Sequence, residues 1–205
     1  MFRSILRKPL ERISAQGVLP TLAYYGGTVA LERVGLHTNA VYRMWKPTVA
    51  LSANVTCTRA LSIDSLSQDD RTLLEGYGGA ALLFDFEQAF ARSESCVVAY
   101  KSGELGCVCW ITESQTFAAF PGQPSVLIQR CFTLPAQRGQ GLYAQALSYA
   151  TRMLIEEMPS RPVLIESSVW NRASVRGIEH AGFLRIGYRI EWKTQERYLP
   201  WKVKG

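Results

Sequence analysis

The sequence predicts a mixed α/β fold in which one central sheet carries helices on both faces. Three observations lead there. From about residue 55, short apolar runs of strand length alternate with amphipathic runs of helix length. Two of the short runs, Cys96–Tyr100 and Leu105–Ile111, flank Lys101-Ser102-Gly103-Glu104 and read as a β-hairpin. A third run, Ser125 to Leu134, stops at Pro135, passes two glycines and opens an amphipathic helix.

In chain order, Thr56 to Ile63 reads as a strand. Ser65 to Tyr77 reads as a helix, with Ser67, Asp69 and Asp70 at its start and Gly78-Gly79 after it. Leu82 to Ala91 is a second helix. The hairpin and the Ser125–Leu134 strand follow. The next helix, about Gly141 to Glu157, presents Leu142, Ala146, Leu147, Ala150 and Leu154 on one face, and Pro159 and Pro162 end it. Val163 to Ser168 is a strand, Arg172 to Ala181 a short helix stopped by Gly182, and Phe183 to Lys193 a strand. A last strand is expected within Arg197 to Val203. The order is β-α-α-β-β-β-α-β-α-β-β.

Residues 1–50 read differently, as a basic and mainly helical extension, with the folded domain at 51–205. Phe2, Ile5, Leu6, Leu10 and Ile13 recur at helical spacing with Arg3, Arg7, Lys8 and Arg12 among them. Pro9 weakens a long continuous helix there. A second helical stretch, Thr21 to Val34, ends at Gly35. Two readings of the first segment stand: a helix packed on the domain, or a peripheral contact of residues 1–16 with an anionic membrane or a partner.

The 205 residues suit one domain plus such an extension, and an apolar share of 47% with 20% charged residues excludes a disordered or fibrous chain. The net charge of +6 is unevenly spread: residues 1–50 carry seven Lys/Arg against two Glu, and residues 51–100 carry three against seven acids. Basic ends can meet phosphorylated cofactors or anionic lipid, but no dense Lys/Arg tract with interleaved aromatics points to nucleic acid. Five cysteines with no CxxC and only two histidines make no zinc site, so buried free thiols in a reducing compartment are expected and no metal is assigned. Glycines, prolines and hydroxyls interrupt the uncharged stretch 13–31, which argues against a membrane span.

The chemistry centres on Leu134-Pro135-Ala136-Gln137-Arg138-Gly139-Gln140-Gly141-Leu142-Tyr143. Two glycines between a strand and a helix let the chain turn tightly and let a ligand approach the backbone. The free N–H groups of the first helical turn, backed by the helix dipole, make a pyrophosphate site, with Arg138 as a neighbouring cation. Thirty residues after Gly141 comes Asn171-Arg172-Ala173-Ser174, followed by Gly182-Phe183 at the end of a short helix.

On these two segments the chain, over roughly residues 55–195, resembles the GNAT superfamily of N-acetyltransferases. That family's phosphate loop reads Gln/Arg-x-x-Gly-x-Gly/Ala, onto which Arg138, Gly141 and Tyr143 fall. Asn171, Ser174, Gly182 and Phe183 match its downstream segment. The resemblance implies a mostly antiparallel sheet and an acyl-CoA site, acetyl-CoA foremost. Cys131, Phe132 and Thr133 would pair through their main chain with the pantetheine arm, in a gap left where Leu164–Ser168 splays away. Arg138, Gly139, Gln140, Gly141, Leu142 and Tyr143 would hold the phosphates, Asn171 would reach the pantetheine, and Ser174 completes the motif. Arg172 and Arg176 are further candidates for phosphate contacts, beside their plainer reading as solvated helix charges.

Two positions depart from the pattern. Tyr143 stands where Gly or Ala is usual and is expected to point away from the phosphates. Ile178 stands where many members carry a Tyr that protonates the departing thiolate. A general base is proposed at Glu166, at the offset used in the ribosomal-protein N-acetyltransferase branch; its alternative is a structural carboxylate paired with an Arg. Tyr188 and Cys131 are weaker candidates. The resemblance implies direct acyl transfer, in the cytoplasm, to an amine on a small molecule such as an amino sugar or on a peptide; the basic extension points further to a glycan or lipid precursor handled at a membrane surface. The alternative is a CoA-binding sensor without transferase activity.

Overall fold

The computed structural model describes residues 36–114, 123–192 and 195–200. Eight strands form one sheet: β1 (Leu36–Met44), β2 (Val55–Ala60), β3 (Ser95–Lys101), β4 (Glu104–Ser114), β5 (Ser125–Thr133), β6 (Val163–Ser168), β7 (Phe183–Trp192) and β8 (Gln195–Pro200). Four helices accompany it: α1 (Gln68–Gly78), α2 (Ala80–Ala91), α3 (Leu142–Glu157) and α4 (Arg172–His180). The strand order is β2-β3-β4-β5-β6-β1-β7-β8. Of these neighbouring pairs only β5 and β6 run parallel.

The helices sit on both faces, as the amphipathic runs require. Leu74 of α1 and Phe86 and Ala89 of α2 pack on Cys96, Val98, Val108 and Trp110. Leu147, Ala150 and Leu154 of α3 and Ile178 of α4 pack on the opposite face, against Val97, Cys107, Ile128 and Ile165. Each fully buried leucine contributes on the order of 2 kcal/mol. α1 starts in a capping box: the Asp70 N–H donates to Ser67 Oγ at 3.1 Å and the Ser67 N–H donates to Asp70 Oδ2 at 3.1 Å. The Tyr100 hydroxyl donates to the same carboxylate at 3.0 Å, which ties the cap to β3.

The strands and helices of residues 55–200 follow the sequence reading closely. The N-terminal boundary does not. Residues 36–44, placed by sequence in a helical extension, form β1, which lies in the sheet between β6 and β7. Val41 stands opposite Glu166 on one side and Gly187 on the other. The domain therefore reaches back at least to residue 36. The physical reason is burial on both faces: Ala40, Val41 and Tyr42 are all buried, so they form a short apolar run without the alternation that marks a half-buried strand. Polar His37, Thr38, Asn39 and Arg43 flank that run and mask it further. The helices expected at 2–13 and 21–34, the peripheral contact of residues 1–16 and the end of the last strand lie outside the described residues. No helix among the described residues is long and apolar enough to cross a membrane.

Candidate functional site

The sheet opens at one place. The parallel strands β5 and β6 are in register only at Val126↔Val163, Leu127↔Leu164 and Ile128↔Ile165. Beyond Ile165, β6 stays paired with β1 as far as Ser168, and β5 stays paired with β4 as far as Thr133. The two strands thus part, and the main chain of β5 past Ile128 turns one edge to the gap. An irregularity accompanies the parting. Between the pairs Trp110↔Gln129 and Val108↔Phe132, β5 has one residue more than β4, and Arg130 takes a positive φ of 48°. The bulge sets alternate side chains. Phe132 stacks on Tyr77 of α1, centroids 5.6 Å apart, and Arg130 lies over the Trp110 ring at 4.9 Å. Cys131 packs on the opposite, α3 side.

The glycine loop closes the wide end of this gap. After β5, a short 3-10 turn (Pro135–Gln137) leads to Gly139 at φ 75° and Gly141 at φ 72°. Gly141 is the N-cap of α3 and has no side chain to cap it. The first bond of α3 is Gln145 N–H to the Gly141 carbonyl at 3.2 Å. The N–H groups of Leu142, Tyr143 and Ala144 precede that bond and are left to point out of the helix end. A Cβ on Gly139 would meet nothing within 4 Å, and one on Gly141 would meet only Gln145 Nε2 at 4.0 Å, so open space lies beside both glycines. Free N–H groups at the positive end of a 16-residue helix, beside an unobstructed backbone, fit a pyrophosphate.

Several side chains hold the loop in place. Leu142 is buried against Gly106 of β4, where a Cβ would lie 2.4 Å from its Cδ2. Arg138 donates through Nε to the Thr133 carbonyl at 3.0 Å and through Nη2 to the Tyr77 hydroxyl at 3.4 Å. Its guanidinium is thus engaged in tying the loop to the end of β5. Gln140 donates to the Ala136 carbonyl at 3.1 Å and accepts from the Lys101 ammonium, while Gln137 donates to Glu104 at 3.3 Å. The β3–β4 turn therefore braces the loop and brings Lys101 to it. In the sequence Lys101 reads only as a residue of the turn. Its position in a hairpin preceding the strand that feeds the loop was the available signal.

Tyr143 turns away from the loop, as expected. Its hydroxyl lies 3.3 Å from Ser174 Oγ, and its ring fills the place where a Cβ on Gly177 would lie 2.5 Å from Cδ1. A glycine at 177 is what lets α4 approach the tyrosine. Burial first, then the nearby Cys131 and Cys109 thiols, push the Tyr143 phenol well above its ordinary range, so it stays protonated. Asn171 is the N-cap of α4 and accepts from the Ser174 N–H at 3.4 Å. Arg172 and Arg176 stand about 160–200° around α4 from Ser174. They face away from α3 and its loop.

Glu166 is the first β6 residue past the last β5–β6 pair, at the point where the strands part. Its carboxylate accepts from Arg189 of β7: Nε at 2.8 and 2.9 Å and Nη2 at 2.6 Å. This is the Arg-paired arrangement. Oε1 accepts one of these contacts and Oε2 two, so Oε1 keeps a lone pair that a proton could take. Ile178 is 0% exposed and brings no hydroxyl to the site. All five cysteines are free. Cys107 and Cys109 share one face, with sulfurs 4.0 Å apart. Hydrogen bonding with Cys107 and with Cys131, then burial, raises the Cys109 thiol well above its ordinary value. Tyr188 lies on β7 beside Arg185, which donates to its hydroxyl at 3.3 Å, and it lines a separate recess on the far side of α4.

Solved structures share this architecture. A GNAT-family acetyltransferase from Colwellia psychrerythraea superposes with a TM-score of 0.56 at 16% identity, over 77% of this chain and 56% of that one. A functionally unknown conserved protein from Staphylococcus epidermidis gives 0.54 at 13% identity, over 78% and 63%. An aminoglycoside N-acetyltransferase solved in complex with CoA gives 0.50 at 16% identity, over 77% and 100%. The chain spans 56% and 63% of the length of the first two. No family model and no curated protein matches it in sequence. At these identities the likeness is one of architecture, and with the parted β5–β6 pair and the glycine loop it establishes that the chain has the GNAT fold.

Proposed function

We propose that this chain is an acyl-CoA-dependent N-acyltransferase, with acetyl-CoA the first donor to test. One observation carries the reading: the gap between β5 and β6 leads directly to a glycine loop with free N–H groups at the start of α3. A CoA ester supplies an activated acyl carbonyl and a good thiolate leaving group. In this reading Leu142, Tyr143 and Ala144 bind the pyrophosphate through their N–H groups. The exposed edge of β5 from Arg130 to Thr133 pairs with the amide-bearing arm and sets the thioester between the strands. A β5 N–H stabilises the developing oxyanion. The attacking group is the amine of a small molecule or peptide, an amino sugar or a glycan or lipid precursor among them. Glu166 accepts the amine proton on the open lone pair of Oε1. Residues 1–16, with four basic residues among apolar ones, give the chain a peripheral hold on anionic membrane from the cytoplasmic side.

The test is acetyl-CoA turnover followed with a thiol-trapping reagent across a panel of amines. Release of CoA that depends on an amine supports the enzyme. A second reading, a CoA-binding protein that transfers nothing, is favoured by Ile178 and by the Glu166–Arg189 pair. Tight CoA binding with no turnover on any amine selects it.

A further inference from the structure

Beyond α4 from the glycine loop lies a recess of about 220 Å³, formed between α4 and strands β1 and β7. Ala40, Val169 and Val175 give it an apolar floor, and Arg172, Arg176 and Arg185 stand around it. Among the described residues only one carboxylate answers these three guanidinium groups: Glu179, which accepts from Arg185 Nη2 at 3.0 Å. Neither Arg172 nor Arg176 has a carboxylate partner among the described residues.

A second, independent feature points to a ligand. Tyr42 lines the same recess and is 0% exposed. Its hydroxyl oxygen accepts from Arg185 Nε at 3.3 Å and Nη2 at 3.1 Å. The phenol proton has no acceptor among the described residues. Burial raises this phenol above its ordinary value, so it keeps that proton at neutral pH. A buried O–H without an acceptor is costly, and an anionic oxygen in the recess would relieve it.

We infer that this recess is a binding site for a small oxyanion, a phosphate ester or a carboxylate with a short apolar stem, separate from the CoA loop. The guanidinium groups of Arg172 and Arg176 match such a head in charge and geometry. The Tyr42 hydroxyl donates to it, and the stem rests on Ala40, Val169 and Val175.

Calorimetric titration of the full chain at constant ionic strength tests this with phenyl phosphate, benzoate and inorganic phosphate, and with chloride as control. Each titration is repeated in the presence of saturating CoA. The expected result is saturable binding of phenyl phosphate or benzoate that persists with CoA present. It should weaken at least tenfold in Arg172→Gln/Arg176→Gln and in Tyr42→Phe. Arg172→Gln/Arg176→Gln alters exposed side chains, and its unchanged thermal unfolding shows that the fold is intact. Equal binding by that variant, or a matching response to chloride, overturns the inference. So does a parallel loss of CoA affinity in the variant, which would make the recess part of the CoA site. Binding to phosphatidate vesicles without binding to phenyl phosphate also overturns it. The phenyl phosphate result is independent of whether the chain transfers an acyl group.

Discussion

Replacing Gly141 with Ala separates the structural role of the glycine loop from its binding role. Gly141 sits at φ 72°, a left-handed conformation that costs an L-residue about 1 kcal/mol. The added Cβ meets nothing closer than Gln145 Nε2 at 4.0 Å, so packing adds no further penalty. For a chain of this size the strain lowers Tm by about 2–4 °C. The binding effect is larger. The methyl group projects into open space, which in the proposed complex is where phosphate oxygens approach the N–H groups of Leu142 and Tyr143. Losing one hydrogen bond to a charged group costs about 1.5–3 kcal/mol, or roughly ten- to a hundredfold in affinity. Gly79 provides the control: its φ of 75° imposes comparable or greater strain at the α1–α2 junction, and its Cβ also has free space. Thermal unfolding and calorimetric titration with CoA check both variants. Gly141→Ala is expected to lose at least tenfold in CoA affinity while Gly79→Ala keeps it. Equal affinities in the two would refute the loop as the phosphate site.

Glu166→Gln should lower amine-dependent turnover by about 10²–10⁴-fold at unchanged CoA affinity, and an unchanged rate would remove Glu166 as the base. Gly177→Ala sets a methyl 2.5 Å from the Tyr143 ring and should destabilise the fold by about 1–3 kcal/mol. Tyr143→Ala in the same chain should relieve part of that loss in a denaturant titration, and strict additivity would contradict the packing account. Burial pushes Cys57 and Cys96 up to about 12, so at pH 8 they remain thiols and resist Ellman's reagent until the chain unfolds. The partly exposed Cys131 should react first, and CoA should slow it; prompt labelling of Cys57 or Cys96 in the folded chain would speak against the packing described.

Much of this site was legible in the sequence because its parts are backbone features with strong local signatures. Gly139 and Gly141 lie between a strand ending at a proline and a helix with a clear apolar face, and that pattern located the loop. Asn171 and Ser174 stood out only through the resemblance, and the structure shows Asn171 as the N-cap of α4. What escaped depends on residues far apart in sequence. β1 is buried on both faces between two strands more than a hundred residues away, so no local alternation revealed it. Arg189 meets Glu166 across β1, a contact fixed by that insertion. The sides taken by Arg172 and Arg176 depend on which face of α4 meets α3, and Tyr143 against Gly177 sets that face.

In the proposed complex a CoA ester lies along the free edge of β5 with its phosphates on the first turn of α3. Amide hydrogen exchange with and without acetyl-CoA tests it most directly. Slowed exchange is expected in residues 129–133 and 141–144, with little change in α1, α2 and β2. Binding of acetyl-CoA without added protection in those two segments would contradict it.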